Sequence, residues 1–230
     1  MEALLKNWQS SLYMWPAAFF VTLFFALLFC IPSDRSRNIP LAIKLYLIAY
    51  GLTFIIIDGT ILIRQQYDYY TYQVQHYTDY IFTIIEFVFI AYYFYTNNLN
   101  SLQKKVLTIL TILFLIASLV FSFQLPRGLA VARLYTTQVL LLLNPSFFYF
   151  RNLFKSPTTI DIANTPSFWI STGITFFLLC TMSLSLIETF FLNHKPHILA
   201  KLAPIYYIFY MLMFVMFFRA YLCKLANVRV

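Results

Sequence analysis

The sequence predicts an all-α membrane protein: a bundle of seven transmembrane helices with its N-terminus outside and its C-terminus in the cytoplasm. Three observations carry that expectation. Of 230 residues, 61% are hydrophobic and 10% charged, whereas soluble chains run at about 45–50% apolar and about 25% charged. The apolar residues gather in runs of about 20, the length that crosses the hydrocarbon core of a bilayer. Lys and Arg fall mostly in the short gaps between those runs, as the positive-inside rule requires. Four glycines and 20% aromatic residues exclude disordered, collagen-like and low-complexity chains.

The runs cover residues 13–32, 41–63, 77–96, 104–123, 129–150, 168–191 and 202–222. Trp8, Tyr13 and Trp15 at the outer end of the first form an aromatic belt at the bilayer surface. Pro32 and Pro40 bracket the gap before the second, and Asn97-Asn98 closes the third. The fourth begins at Lys104, and Pro126 precedes the fifth. That fifth run is the most interrupted, with Arg133 inside it and Asn144-Pro145 breaking its hydrogen-bond ladder. Pro166 stands before the sixth, and Pro196 lies between the sixth and seventh. The longest connection is 151–167, so residues 1–230 read as a single membrane domain with no soluble domain. The opening MEALLKNWQSSLYMWP has neither a charged n-region nor a small-x-small cleavage site, so no removed signal peptide is expected. Cys30, Cys180 and Cys223 have no CxxC spacing and read as apolar fillers.

Orientation follows from charge. Arg35, Arg37, Lys44, Lys104, Lys105, Arg151, Lys155, Arg219, Lys224 and Arg229 fall on one side. They outnumber Lys6, Arg64, Arg127, Lys195 and Lys201 on the other, which makes the first side cytoplasmic. The net charge of +8 is explained by this bias. With no basic helix or aromatic-basic module, no nucleic-acid partner is expected.

The informative residues in a bilayer are the ionisable ones, since each costs about 2.5–3.5 kcal/mol at a helix centre. Asp58, Glu86, Arg133 and Glu188 lie within the runs, and Glu86 is nearest the middle. Asp58 sits six residues below Arg64, about 9 Å at the helical rise. In the third run His76, Asp79, Thr83 and Glu86 share one helical face, continued by Tyr93 and Asn97. Arg133, Thr137 and Asn144 align on the fifth; Ser171, Thr175, Thr181, Ser185 and Glu188 align on the sixth. Lipid satisfies none of these groups, so the three stripes are expected to face one another. The expected site is a polar cavity reached from outside. It is lined by Asp58, Asp79, Thr83, Glu86, Arg133, Thr137, Ser185 and Glu188, with Arg133 the cation available to the carboxylates. Hydroxyl stripes also serve as plain interhelical hydrogen bonds, which is the competing reading for Thr83, Thr137 and Ser185. A carboxyl at the depth of Glu86 can also exist protonated, as a hydrogen-bond donor or a proton-responsive group.

His76, Asp79, His194 and His197 have metal-ligand spacing, HxxD and HxxH, near the outer surface. NHKPH is nevertheless a proline-containing loop, and solvated interfacial histidines explain it without a metal. No cofactor is expected. The Tyr- and Gln-rich RQQYDYYTYQVQHYTDY reads as an interfacial cap, with a lid over a ligand as the sharper alternative.

HYTDYIFTIIEFVFIAYYFY, with Glu86 in its IIEF core, resembles the third helix of small bacterial seven-helix membrane proteins. NTPSFWISTGITFF, around Trp169 and Gly173, resembles the segment opening their sixth helix. Such proteins occur alone and as sensor-like modules ahead of cytoplasmic histidine kinases. The resemblance follows span order over nearly the whole chain. Their recurrent second-helix acidic residue corresponds to Asp58, where a glutamate is the expected residue. It implies a multi-pass protein of the cytoplasmic (inner) membrane, partnered by the lipid bilayer, an unknown small ligand and a histidine kinase. Because this chain ends at KLANVRV with no kinase, the output is expected to pass in trans.

The functional expectation is therefore a sensory or receptor-like module without catalytic activity of its own. Two alternatives belong to other classes. A metal-dependent intramembrane lipid hydrolase would use His76, Asp79, His194 and His197 beside an activated water. A small-solute transporter would need an internal repeat and paired broken helices, and Asn144-Pro145 is a single break. A retinal-type pump is excluded, because the seventh run has Lys201 and Lys224 at its ends and no lysine mid-membrane.

Overall fold

A computed structural model of the chain describes residues 14–33, 35–64, 69–97, 99–124, 127–155, 162–191 and 196–223. Among these residues every regular element is helical. The α-helices are α1 (Met14–Cys30), α2 (Leu41–Arg64), α3 (Tyr69–Thr96), α4 (Ser101–Gln124), α5 (Arg127–Lys155), α6 (Pro166–Phe191) and α7 (Pro196–Leu222). Short 3-10 turns at Arg35–Asn38 and Ile162–Asn164 join α1 to α2 and α5 to α6. Four helices are long and apolar enough to cross a membrane, over His76–Thr96, Ser101–Gln124, Pro166–Ile187 and Ile205–Leu222. Phe20, Phe24 and Leu27 on α1 and Ile109, Ile112, Leu113 and Ile116 on α4 are exposed. Apolar area on that scale needs hydrocarbon around it, and the chain is a membrane protein.

The helix ends follow local chemistry. Pro166 and Pro196 are the first residues of α6 and α7, where a missing N–H costs nothing and the fixed φ suits the helix. At the start of α4 the Gln103 Oε1 accepts from the Asn100 N–H at 2.9 Å, half of a capping box. The α3 helix begins at Tyr69, well before the apolar run at 77. Its Tyr- and Gln-rich first turns end a count of apolar residues, but nothing in them breaks a helix.

The α5 helix runs unbroken through Pro145. Pro145 donates no hydrogen bond to Leu141 O, and the neighbouring side chains compensate. Asn144 Nδ2 reaches Leu140 O at 3.2 Å and Leu141 O at 3.4 Å, and Ser146 Oγ donates to Leu142 O at 3.0 Å. Ser/Thr/Asn side chains commonly restore backbone acceptors around a proline in this way.

Of the seven helices, α6 and α7 run antiparallel, with Phe177 beside Tyr210 and Trp169 beside Arg219, as a short connection favours. Six of them close a ring in the order α1–α2–α3–α5–α6–α7, and α4 packs outside it against α3 and α5. Stacked aromatics make several of these joints. Phe25 lies on Phe214 at 5.0 Å and Phe29 on Tyr221 at 5.6 Å, joining α1 to α7. Phe87 on Phe114 at 3.9 Å joins α3 to α4. Gly173 lets α6 and α7 approach closely: a Cβ there would stand 3.2 Å from Met216 Cβ and 3.3 Å from Met213 O.

The end of the bundle that carries Arg219 is tied by polar contacts. Asn38 Nδ2 donates to Cys223 O at 2.6 Å, capping α7 from the α1–α2 connection. Gln103 and Asn152 exchange two amide hydrogen bonds at 2.7 and 3.2 Å, α4 to α5. Trp169 Nε1 donates to Ala163 O at 2.7 Å, and the Arg219 guanidinium lies 5.7 Å from the Trp169 ring.

Candidate functional site

The α3 helix turns its polar row into the ring. Thr83, Glu86 and Tyr93 step by three and seven residues and are all buried. Glu86 is 4% exposed and its carboxyl is held from two sides. Tyr46 Oη, from α2, donates to Oε1 at 3.0 Å, and Gln138 Nε2, from α5, donates to Oε2 at 2.6 Å. Tyr46 Oη also lies 3.3 Å from Tyr210 Oη on α7. One chain of polar atoms thus links α5, α3, α2 and α7 across the ring. Tyr46, Gln138 and Tyr210 are at most 3% exposed.

Rings enclose this chain. Tyr50 lies 4.6 Å from Tyr210 and 4.8 Å from Phe82, while Phe177 of α6 meets the edge of Tyr210 at 5.6 Å. Every helix of the ring except α1 contributes to the cluster. A carboxyl at this depth must have each oxygen hydrogen-bonded, since an unsatisfied buried acceptor costs about 1–3 kcal/mol or more. Both oxygens are satisfied. The odd group out is Gln138 Oε1, which is buried without a hydrogen-bond partner.

A second polar node lies toward the Arg219 end. Tyr93 Oη donates to Ser167 O at 3.1 Å and lies 3.0 Å from Ser171 Oγ; Tyr149 Oη donates to Ser167 Oγ at 3.3 Å. It joins α3, α5 and α6 where they converge.

The residues expected to line one cavity separate into groups. Glu86 and Thr83 face the ring interior, with Thr83 Oγ1 donating to Asp79 O at 2.7 Å in its own helix. Asp79 and His76 are half-buried farther up the same row. Ser185 is buried on α6 and donates to Met182 O at 2.9 Å. Arg133 does not join them: it is exposed, as is Asn144, and Thr137 is half-buried with its Oγ1 donating to Arg133 O at 2.8 Å. Among the described residues no ion pair joins Arg133 to Glu86. The side chains of Asp58 and Glu188, like those of His194 and His197, lie outside the described residues. Among the described residues no group of three or more His, Cys, Asp or Glu is placed to hold a metal.

The physical reason for the difference lies in α5. Its buried face carries Leu134, Gln138, Leu142, Ser146 and Tyr149. Gln138 stands five residues from Arg133, about 140° around the helix. Thr137 and Asn144 satisfy their own donors on backbone carbonyls of the preceding turn, so they have no need of a partner helix. A polar stripe therefore does not force an inward face when its members bond locally. Sequence reasoning misses Tyr46, Tyr50, Gln138 and Tyr210. Their signal is nevertheless present: a lone glutamine in TTQVLLLL, and tyrosines set within apolar runs rather than at the belts of a span.

No family model, curated protein or solved structure matches the chain.

Proposed function

We propose that the chain is a sensory or receptor-like module of the bacterial cytoplasmic membrane, crossing it seven times with the N-terminus outside and the C-terminus inside. A ligand, lipid or proton acting on the ring centre would shift the packing of the helices tied there. The shift would reach the Arg219 end and be read in trans by a cytoplasmic or membrane histidine kinase. One observation supports this above all: the buried carboxyl of Glu86 is shared between α2 and α5, and its partner Tyr46 continues to α7. A group that joins several helices through two hydrogen bonds can select between two packings of the ring, provided its ligand binds them unequally. The charge asymmetry of the gaps supports the orientation.

Spin labels on Phe154→Cys and Leu222→Cys, both exposed positions at the ends of α5 and α7, test the coupling in a cysteine-free background. The expected result is a distance distribution that differs between protein with Glu86 and the same protein with Glu86→Gln. Superimposable distributions would contradict the reading. A reporter fused to the C-terminus tests the orientation, with cytoplasmic activity expected.

A further inference from the structure

We propose that the ring centre is a proton-binding site, in which Glu86 takes a proton on Oε1 and the Tyr46 hydroxyl turns its own proton from Glu86 to Tyr210 on α7. The inference rests on the sensory reading and names the ligand of that same site.

Hydrogen-bond accounting leads to it. Tyr46 has one hydroxyl proton and two oxygen neighbours, Glu86 Oε1 at 3.0 Å and Tyr210 Oη at 3.3 Å. Tyr46 is the donor in both contacts, so its single proton has two acceptors to choose between. With Glu86 as carboxylate, Tyr46 donates to Glu86. With Glu86 protonated on Oε1, the carboxyl donates to Tyr46, and Tyr46 donates to Tyr210. Gln138 Nε2, 2.6 Å from Oε2, donates in both states, which leaves Oε1 as the oxygen that gains the proton. The balance is simple: a hydronium ion loses one O–H bond and leaves as water, Oε1 gains one, and the negative charge of the carboxylate disappears.

Charge and space both point to a proton rather than a larger cation. A carboxylate in hydrocarbon needs neutralising, yet among the described residues no Lys or Arg is buried. Among the described residues, few charged or titratable groups surround Glu86 and its neighbour Tyr50. Tyr46 and Tyr50 come from α2, and Tyr210 and Tyr207 from α7. On α5 there is Tyr135, with Arg133 turned outward, and on α3 itself Asp79 lies about two turns away. The side facing α6 brings Phe177 against Tyr210, and α4 brings Phe114 against Phe87. The rings touch one another, Tyr50 to Tyr210 at 4.6 Å and Tyr50 to Phe82 at 4.8 Å. A proton is the cation that enters such packing without moving a heavy atom.

Infrared difference spectroscopy of the full chain in lipid nanodiscs, titrated with acid, reads the site directly. The expected result is a protonated-carboxyl band that shifts when glutamate is 13C-labelled at its side-chain carboxyl and is missing in Glu86→Gln. Tyr46→Phe removes a donor that favours the carboxylate, so the band should appear at about tenfold lower proton concentration. Should Glu86→Gln fail to fold, the labelled band and its displacement in Tyr46→Phe carry the assignment. Absence of any labelled carboxyl band that responds to acid would overturn the proposal. So would a band that ignores pH but disappears when ammonium is added at constant pH, since the site would then take a cation. A titrating band with unchanged spin-label distances supports the proton site while removing the sensory reading.

Discussion

The α3 and α4 helices are neighbours in sequence, both long enough to span a bilayer, and opposite in what they contribute. The α4 helix is the most apolar of the four spanning helices and the least buried, with 17% of its apolar window inside the protein. The α3 helix is the least apolar of the four, yet 44% of its window is buried. Water inverts this order in soluble proteins, where the most apolar segment goes to the core. In a bilayer the lipid accepts Leu and Ile as readily as another helix does, so apolarity gives α4 no reason to enter the ring. What draws a helix inward is a group that lipid cannot satisfy, and α3 has Glu86.

The contrast can be broken by mutation, and the largest effect is expected for packing between these two helices, set against the outside of α4. Phe87 is fully buried and stacked on Phe114. Phe87→Ala should lower unfolding free energy by about 3–5 kcal/mol, measured by reversible unfolding in mixed micelles. Leu119→Ala on the outer face of α4, where the side chain is 61% exposed, should change it by less than about 0.5 kcal/mol. Equal losses would mean that α4 is buried in an assembly.

Next in size are the glycines. Gly173→Ala should cost about 1–3 kcal/mol, because its new methyl meets the α7 backbone and Phe217 as well as Met216. Gly51 in α2 has open space where a methyl would stand, with nothing from the neighbouring helices within 4 Å. Gly51→Ala should therefore stabilise by about 0.5–1 kcal/mol through helix propensity. Loss of single hydrogen bonds comes last. Asn38→Ala removes the hydrogen bond to Cys223 O and should cost about 1 kcal/mol. Ser122→Ala on exposed α4 loses a bond within its own turn and should be close to neutral.

Much of the fold is legible in the sequence because span length and proline punctuation are local. Each expected run overlaps one helix, and the greatest discrepancy is the polar start of α3, where counting apolar residues stops but helix formation does not. The ring order is a matter of which faces pair, and periodicity alone does not choose partners among seven apolar helices. The site divides in the same way. The spacing of Glu86 and Thr83 places them on one face of α3. On α5 the polar residues point to the wrong face, because Arg133 and Thr137 are more conspicuous than Gln138. Arg133 can snorkel and Thr137 bonds its own backbone, whereas an amide on an otherwise apolar face has only another helix to turn to. Tyr46 and Tyr210 escape notice because tyrosine in a membrane protein is ordinarily a surface anchor.

A double-mutant cycle on unfolding free energy tests the central claim most directly, that Gln138 rather than Arg133 holds Glu86. The pair Glu86→Gln and Gln138→Leu should show a coupling of roughly 1–3 kcal/mol. Glu86→Gln and Arg133→Ala should add within about 0.5 kcal/mol. Strong coupling to Arg133, with none to Gln138, would contradict the account.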